Sequence, residues 1–259
     1  MKQKLVVVGN GMAGARAVEE VLARGGADMF DIVMFGDEPY GNYNRILLSN
    51  ILSGAQDAAD IFINPLDWYD ANGITLHAGQ RVVEIDRAAR AVKSERGLVA
   101  HYDVLLIATG SRAFIPPIPG IMDGDALRAG VFGFRTIDDC DAIVATARQS
   151  KKAVVIGGGL LGLEAARGLI NHGCEVHVVH LGGHLMEMQL DLPAGTMLRK
   201  GMEKMGIHVH LAKSTTEVLH GPDGRVSGLA FKDGSTLDCD MVVVSAGIKP
   251  NAEIGRAAG

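Results

Sequence analysis

The chain is predicted to fold as an α/β protein built from two successive parallel-sheet units, and three observations carry that expectation. Two short unbroken apolar runs, Lys4-Leu5-Val6-Val7-Val8 and Ala153-Val154-Val155-Ile156, have the length and β-branched content of strands buried on both faces. Each leads straight into a glycine-spaced turn, Gly9-Asn10-Gly11-Met12-Ala13-Gly14 and Gly157-Gly158-Gly159-Leu160-Leu161-Gly162. Each turn is followed by a segment of helical periodicity, residues 15–23 and 163–170.

The strand, glycine turn and helix together have a physical purpose. The first glycine allows a tight strand-to-helix turn, the second lets backbone come close to a pyrophosphate, and the third lets helix and strand pack closely. The diphosphate then meets a helix N-terminus. A G-x-G-x-x-G spacing alone is weak evidence, but here its context recurs twice. Two dinucleotides on one chain suggest electron transfer.

Further along the first unit, Asp31-Ile32-Val33-Met34-Phe35 is expected to be its second strand, followed by Asp37 and Glu38. A carboxylate about 20 residues beyond the glycine turn accepts hydrogen bonds from an adenosine ribose, and the spacing leaves both acids open. Asn44 and Arg45 lie in a polar loop, Gly41-Asn42-Tyr43-Asn44-Arg45, that runs into an apolar helical turn; a planar guanidinium suits bidentate diphosphate contact. Trp68 and Tyr69 are expected to pack a helix on the first sheet. Val104-Leu105-Leu106-Ile107 reads as a buried strand ending at Ala108-Thr109-Gly110, and the proline-rich 116–120 segment as a stiff connector. The second unit closes in the same way, with Asp240-Met241-Val242-Val243-Val244 leading into Ser245-Ala246-Gly247 and a proline. The expected boundaries are 1–118 for the first unit, 119–245 for the second, and 246–259 for a return towards the first.

Composition excludes several classes. The 259 residues, 47% hydrophobic, fill about two cores. A net charge of −5 without a basic run offers no nucleic-acid or anionic-membrane footprint, and no apolar run approaches a membrane span. A cytoplasmic protein with small-molecule or protein partners is expected, a homodimer included. Cys140, Cys174 and Cys239 are widely spaced without a CxxC, so they are expected to be buried hydrophobes. His177, His180 and His184 are close in sequence, and His208 and His210 share a strand face. No neighbouring cysteine or carboxylate completes a recognisable zinc spacing, so no metal is expected. Met186, Met188, Met197, Met202 and Met205 read as core or interface packing.

Together, the first fingerprint, Arg45 in Asn-Tyr-Asn-Arg, Ala108-Thr109-Gly110, the second fingerprint with Glu164, and Gly247-Ile248-Lys249-Pro250-Asn251 resemble the FAD/NAD(P)-dependent pyridine nucleotide oxidoreductases. The resemblance covers essentially the whole chain and implies two Rossmann-like domains of the glutathione-reductase-like fold. Gly41 to Ser49, Val178-Val179-His180-Leu181 and the 185–191 stretch are most similar to the N-terminal diaphorase part of the large subunit of assimilatory NAD(P)H-dependent nitrite reductase. By that resemblance FAD uses Gly9, Gly11, Gly14, Glu38, Arg45 and Thr109, with Met12, Ala13, Asp37, Asn44 and Gly110 beside them. The nicotinamide nucleotide, NADH or NADPH, uses Gly157, Gly159, Gly162 and Glu164, with Leu160, Leu161, His180 and Gly247 beside them.

Two departures qualify the resemblance. Residues 42–52 contain no cysteine, so a thiol relay beside the flavin is disfavoured, and hydride is expected to pass from nicotinamide to flavin with electrons moving on to an iron–sulfur protein or domain; the resemblance implies iron–sulfur and sirohaem centres that serve nitrite reduction in nitrate assimilation. Catalysis of that kind needs alignment more than acid–base chemistry, and Glu164, expected on the first turn of its helix, is the one candidate beside the reacting atoms. Relatives complete the first domain with a segment carrying a flavin-side aspartate, so a C-terminally truncated fold is expected, with weak FAD retention. A rubredoxin- or ferredoxin-type reductase and a non-enzymatic nucleotide-binding regulatory module are the alternatives. His180, at the end of its strand, leaves the choice of NADH or NADPH undecided.

Overall fold

A computed structural model describes residues 1–259 and divides them into two compact units, Met1–Arg45 with Ala59–Arg112 and Pro250–Gly259, and Ile46–Ala58 with Ala113–Lys249. Both are α/β, as expected.

In the first unit, β1 (Gln3–Val8), β2 (Phe30–Phe35), β3 (Thr75–His77) and β4 (Val104–Ile107) form a sheet of order β3-β2-β1-β4. All its pairings are parallel, Val6 opposite Val33 and Leu105. Alternation along β1 sends its side chains to two apolar layers. Leu5 and Val7 join Val18, Ile32, Met34, Tyr69 and Ile74 on the face covered by α1 (Met12–Ala23) and the short helix Leu66–Ala71. Val6 and Val8 join Phe35, Val82, Ile85 and Val92 on the face covered by a three-stranded antiparallel sheet, Val82–Asp86, Ala91–Ser94 and Val99–His101. Each such fully buried aliphatic chain stabilises the unit by about 1.5–3 kcal/mol. Expected to be buried, β4 instead forms the sheet edge, and Val104 and Ile107 are 41% and 45% exposed. With a neighbour on one side only, the apolar run loses half of its covering.

The second unit repeats the plan with β5 (Val131–Gly133), β6 (Lys152–Ile156), β7 (Glu175–Val179), β8 (Ile207–His210) and β9 (Met241–Val244), in the order β5-β9-β6-β7-β8 and all parallel. Its helices are α2 (Ile137–Ala147), α3 (Leu160–Ile170) and α4 (Leu192–Lys204). One face of the sheet packs Val154, Ile156, Val179, Val242 and Val244 on an antiparallel meander, Thr215–His220, Val226–Phe231 and Thr236–Asp238. On α3, Gly168 gives the close approach that the 46–58 segment needs, because a Cβ there would lie 3.0 Å from Leu52 Cγ. His172 Nε2 meets the Leu52 carbonyl at 2.6 Å, and Asn171 Nδ2 donates to Ser53 O at 2.9 Å.

Both nucleotide-loop helices begin three residues before the periodicity suggests, at Met12 and Leu160, because Gly11 and Gly159 take the extended N-cap conformation. Of the five methionines expected to pack, only Met202 is in the core; Met188 and Met197 are 87% and 75% exposed. All three cysteines are buried.

Candidate dinucleotide-binding loops

The three glycines of the first loop are required for different reasons, and geometry separates them. Gly9 has φ +117°, and a Cβ there would lie 2.0 Å from the Ala108 carbonyl oxygen. At Gly14 a Cβ would lie 2.1 Å from Gly9 O, so helix and strand can pack only if the side chain is absent. Around Gly11, the N-cap of α1, a Cβ would meet nothing within 4 Å. The open side of the loop is therefore at the middle glycine, where a diphosphate would approach. Gly9 N donates to Phe35 O at 2.9 Å, and Ala108 N to Val8 O at 2.8 Å, which fixes the loop against β2 and β4.

The second loop repeats this arrangement. Gly157 has φ +128° and would place a Cβ 2.1 Å from Ser245 O; Gly162 would place one 2.2 Å from Gly157 O; Gly159 is open. Gly157 N donates to Val179 O and Ser245 N to Ile156 O. Ser245-Ala246-Gly247 thus occupies the place that Ala108-Thr109-Gly110 occupies in the first unit.

Neither α1 nor α3 has a side-chain N-cap or an acidic residue in its first turn. The other long helices do: Thr136 and Asp139 form a reciprocal capping box on α2, and Asp191 caps α4 through Ala194 N at 2.9 Å. A helix start with glycine at its cap leaves its first N–H donors and positive dipole end for an anion. Met12 and Ala13, Leu160 and Leu161 are the first two residues of these starts. Glu164, expected on the first turn, is the fifth residue of α3 and lies beyond it. Burial raises its carboxyl above the usual carboxylate range.

Around the first loop the two acids separate. Asp37 is exposed, whereas Glu38 accepts from Tyr43 Oη at 2.6 Å and pairs with Arg45, whose guanidinium also lies 4.9 Å from the Tyr43 ring. Glu38, Tyr43 and Arg45 therefore form one part-buried group. Asn44 is fixed by its backbone N–H to Ile61 O at 2.8 Å. Thr109 Oγ1 donates to Asn251 O at 2.6 Å and Asn251 Nδ2 returns to Thr109 O at 2.9 Å, so this hydroxyl braces Pro250–Gly259. Gly110 accepts from Asn251 N, and Gly247 accepts from Phe114 N.

Residues outside the spacing-based set hold the loops in place. Tyr69 donates to Asn10 Oδ1 at 2.6 Å and accepts from Asn42 N at 3.1 Å, while Asn42 Nδ2 donates to Asn10 O at 3.1 Å. In the second loop Gly158 N donates to His180 Nδ1 at 3.2 Å, which assigns His180 its Nε2–H tautomer. A Cβ on Gly158 would sit 2.7 Å from His180 Cγ, so this fourth glycine admits the imidazole. Glu187 Oε1 is 3.8 Å from His180 Nε2. A buried tyrosine and an asparagine between glycines leave no spacing signature; only contact reveals them.

The thiols are chemically quiet. Burial pushes Cys140 and Cys239 up to about 12 and raises Cys174, far from the thiolate form that redox exchange needs. No helix is long and apolar enough to cross a membrane.

The family model described as pyridine nucleotide-disulphide oxidoreductase matches residues 3–259. Among curated relatives, a nitrite reductase [NAD(P)H] of Bacillus subtilis is 49% identical over 258 residues, covering 100% of this chain and 31% of that protein. An assimilatory nitrate reductase electron transfer subunit of the same organism is 46% identical, covering 100% of this chain and 32% of the relative. The chain spans about a third of the length of these relatives. Among solved structures, a ferredoxin reductase from Rhodopseudomonas palustris superposes with a TM-score of 0.90 at 30% identity, covering 100% of this chain and 62% of that one.

Proposed function

The chain belongs to the pyridine nucleotide-disulphide oxidoreductase family, and from that premise we propose that it is the nucleotide-binding portion of an NAD(P)H:FAD oxidoreductase serving nitrite reduction. The observation that carries this reading is the repeated loop geometry: in each unit the first and third glycines are closed by backbone oxygens at 2.0–2.2 Å and the middle glycine alone is open. Two independent dinucleotide sites fit a protein that passes electrons between two bound nucleotides.

The residues present fit FAD in the first unit. The open N-terminus of α1 would hold its diphosphate, Glu38 the adenosine ribose, and Arg45 a phosphate or the ring edge after exchanging its Glu38 contact. FAD supplies a two-electron acceptor that releases electrons singly. In the second unit the α3 N-terminus would hold the nicotinamide nucleotide diphosphate. His180 is neutral in the tautomer set by Gly158 N, and Glu187 beside it places a carboxylate where a 2′-phosphate would be repelled, so the reading favours NADH. Glu164, the fifth residue of α3, would act one turn in from that N-terminus as a positioning residue. Three buried, protonated thiols support a route that bypasses cysteine, and the onward acceptor is an iron–sulfur or sirohaem centre.

The likeness to a ferredoxin reductase favours a second reading in which a separate iron–sulfur protein accepts the electrons. The deciding experiment is an anaerobic absorbance titration of the FAD-reconstituted chain with NADH and with NADPH. Bleaching of the oxidised flavin band supports the oxidoreductase; bound flavin that no nicotinamide nucleotide reduces favours a regulatory nucleotide module. Reoxidation by an added iron–sulfur protein, against none by nitrite, separates the acceptors.

A further inference from the structure

On the sheet of the second unit, β7 and β8 run side by side, with His177 opposite His208 and Val179 opposite His210. Period-two alternation puts Glu175, His177, His208 and His210 on one face. The sequence spacing hides this cluster, because Glu175 and His177 lie on β7 while His208 and His210 lie on β8, beyond α4.

The atoms converge. Glu175 Oε1 is 2.8 Å from His177 Nε2, and His177 Nδ1 is 3.0 Å from His210 Nε2. The His177 ring stacks on His208 at 4.6 Å and on His210 at 5.3 Å. One ligating atom each from Glu175, His177 and His208 lie within 4.8 Å of one another. Ligands at the 2.0–2.1 Å bonds of a tetrahedral site are about 3.3 Å apart, so small side-chain rotations close the gap. β8 is the edge of its sheet and both Glu175 and His208 are exposed, which gives an ion an approach from solvent, while His177 is buried beneath them.

We propose that Glu175, His177 and His208 form a binding site for one borderline divalent transition-metal ion, Zn²⁺ or Cu²⁺. His177 ligates through Nε2, the atom already beside Glu175. With Nε2 on the ion, His177 donates its Nδ1–H to His210 Nε2, and His210 is a positioning residue that holds the ring, as outer-shell partners of metal-bound imidazoles do. Two imidazoles and one carboxylate suit Zn²⁺ and Cu²⁺; Ca²⁺ and Mg²⁺ demand more oxygen ligands. A fourth position stays open to water. Lys152, with Nζ 3.6 Å from Glu175 Oε1, is the charge that the ion displaces from the carboxylate.

The test is a Co²⁺ titration of the 259-residue chain followed by its ligand-field absorption, with displacement by Zn²⁺. Expected are saturation at one equivalent, an intense low-symmetry spectrum, and full reversal by Zn²⁺. His208→Ala and Glu175→Gln, both at exposed positions, weaken binding by about tenfold or more, and His210→Gln by a smaller factor, while His101→Ala in the other unit leaves it unchanged. Circular dichroism of each variant establishes that the fold is retained. The proposal is overturned if wild-type protein leaves the weak hexa-aquo Co²⁺ spectrum unaltered, or if the His208→Ala titration superimposes on wild type.

Discussion

The buried Tyr69 hydroxyl donates to Asn10 Oδ1 at 2.6 Å, across 59 residues of sequence, and so ties the short helix Leu66–Ala71 to the residue between the first two glycines of the nucleotide loop. Because the same oxygen accepts from Asn42 N, it joins loop, helix and the strand carrying Tyr43. Tyr69→Phe keeps the ring and its packing but leaves Asn10 Oδ1 and Asn42 N–H without this partner. A loss of about 1–3 kcal/mol is expected, read as a lower urea midpoint at unchanged slope, together with weaker FAD retention. An unchanged midpoint would show that Asn10 is held by its other bonds alone.

The glycines of each loop should separate by role. Gly11→Ala and Gly159→Ala meet no protein atom within 4 Å, so thermal stability is retained while nucleotide affinity falls by roughly tenfold, about 1.4 kcal/mol, or more. Gly14→Ala and Gly162→Ala press a methyl to 2.1–2.2 Å from a backbone oxygen and should cost about 1–3 kcal/mol or more of stability. Thermal denaturation without nucleotide, paired with FAD and NADH binding isotherms, checks both halves of the expectation.

Donor preference is expected to depend on Glu187. Removing its carboxylate by Glu187→Ala relieves repulsion of a 2′-phosphate beside His180, so the ratio of flavin reduction by NADPH to that by NADH rises, by about tenfold. Rapid-mixing measurement with each donor decides it, and an unchanged ratio places the ribose elsewhere.

The three cysteines should resist modification. With Cys140, Cys174 and Cys239 buried and held protonated, a chromogenic disulfide reagent at neutral pH releases no product from native protein and about three equivalents after denaturation. Fast labelling of a native thiol would contradict the buried placement.

Much of this architecture is legible in the order of residues because its signals are local. Val6-Val7-Val8 and Val154-Val155-Ile156 are buried on both faces and read as strands without knowledge of their neighbours. The fingerprint glycines follow each at fixed offsets, since turn, phosphate approach and helix packing are all settled within six residues. Val104 and Ile107 look the same in sequence as those strands, yet lie at an edge, because burial depends on whether a neighbour exists and not on the strand itself.

What one stretch of chain does to its own backbone was thus determined by sequence alone: two glycine loops, their strands and helices, and the family they mark. Tertiary structure decided what depends on meeting across distance. It sent the Ile46–Ala58 segment to the second unit, chose Glu38 over Asp37 as the partner of Arg45, placed Tyr69 under Asn10 and His180 on Gly158, and gathered Glu175, His177, His208 and His210 on one sheet face. Local preferences act through torsions and neighbours along the chain, whereas hydrogen-bond partners, burial and clustered ligands arise only when strand order and register bring remote residues together.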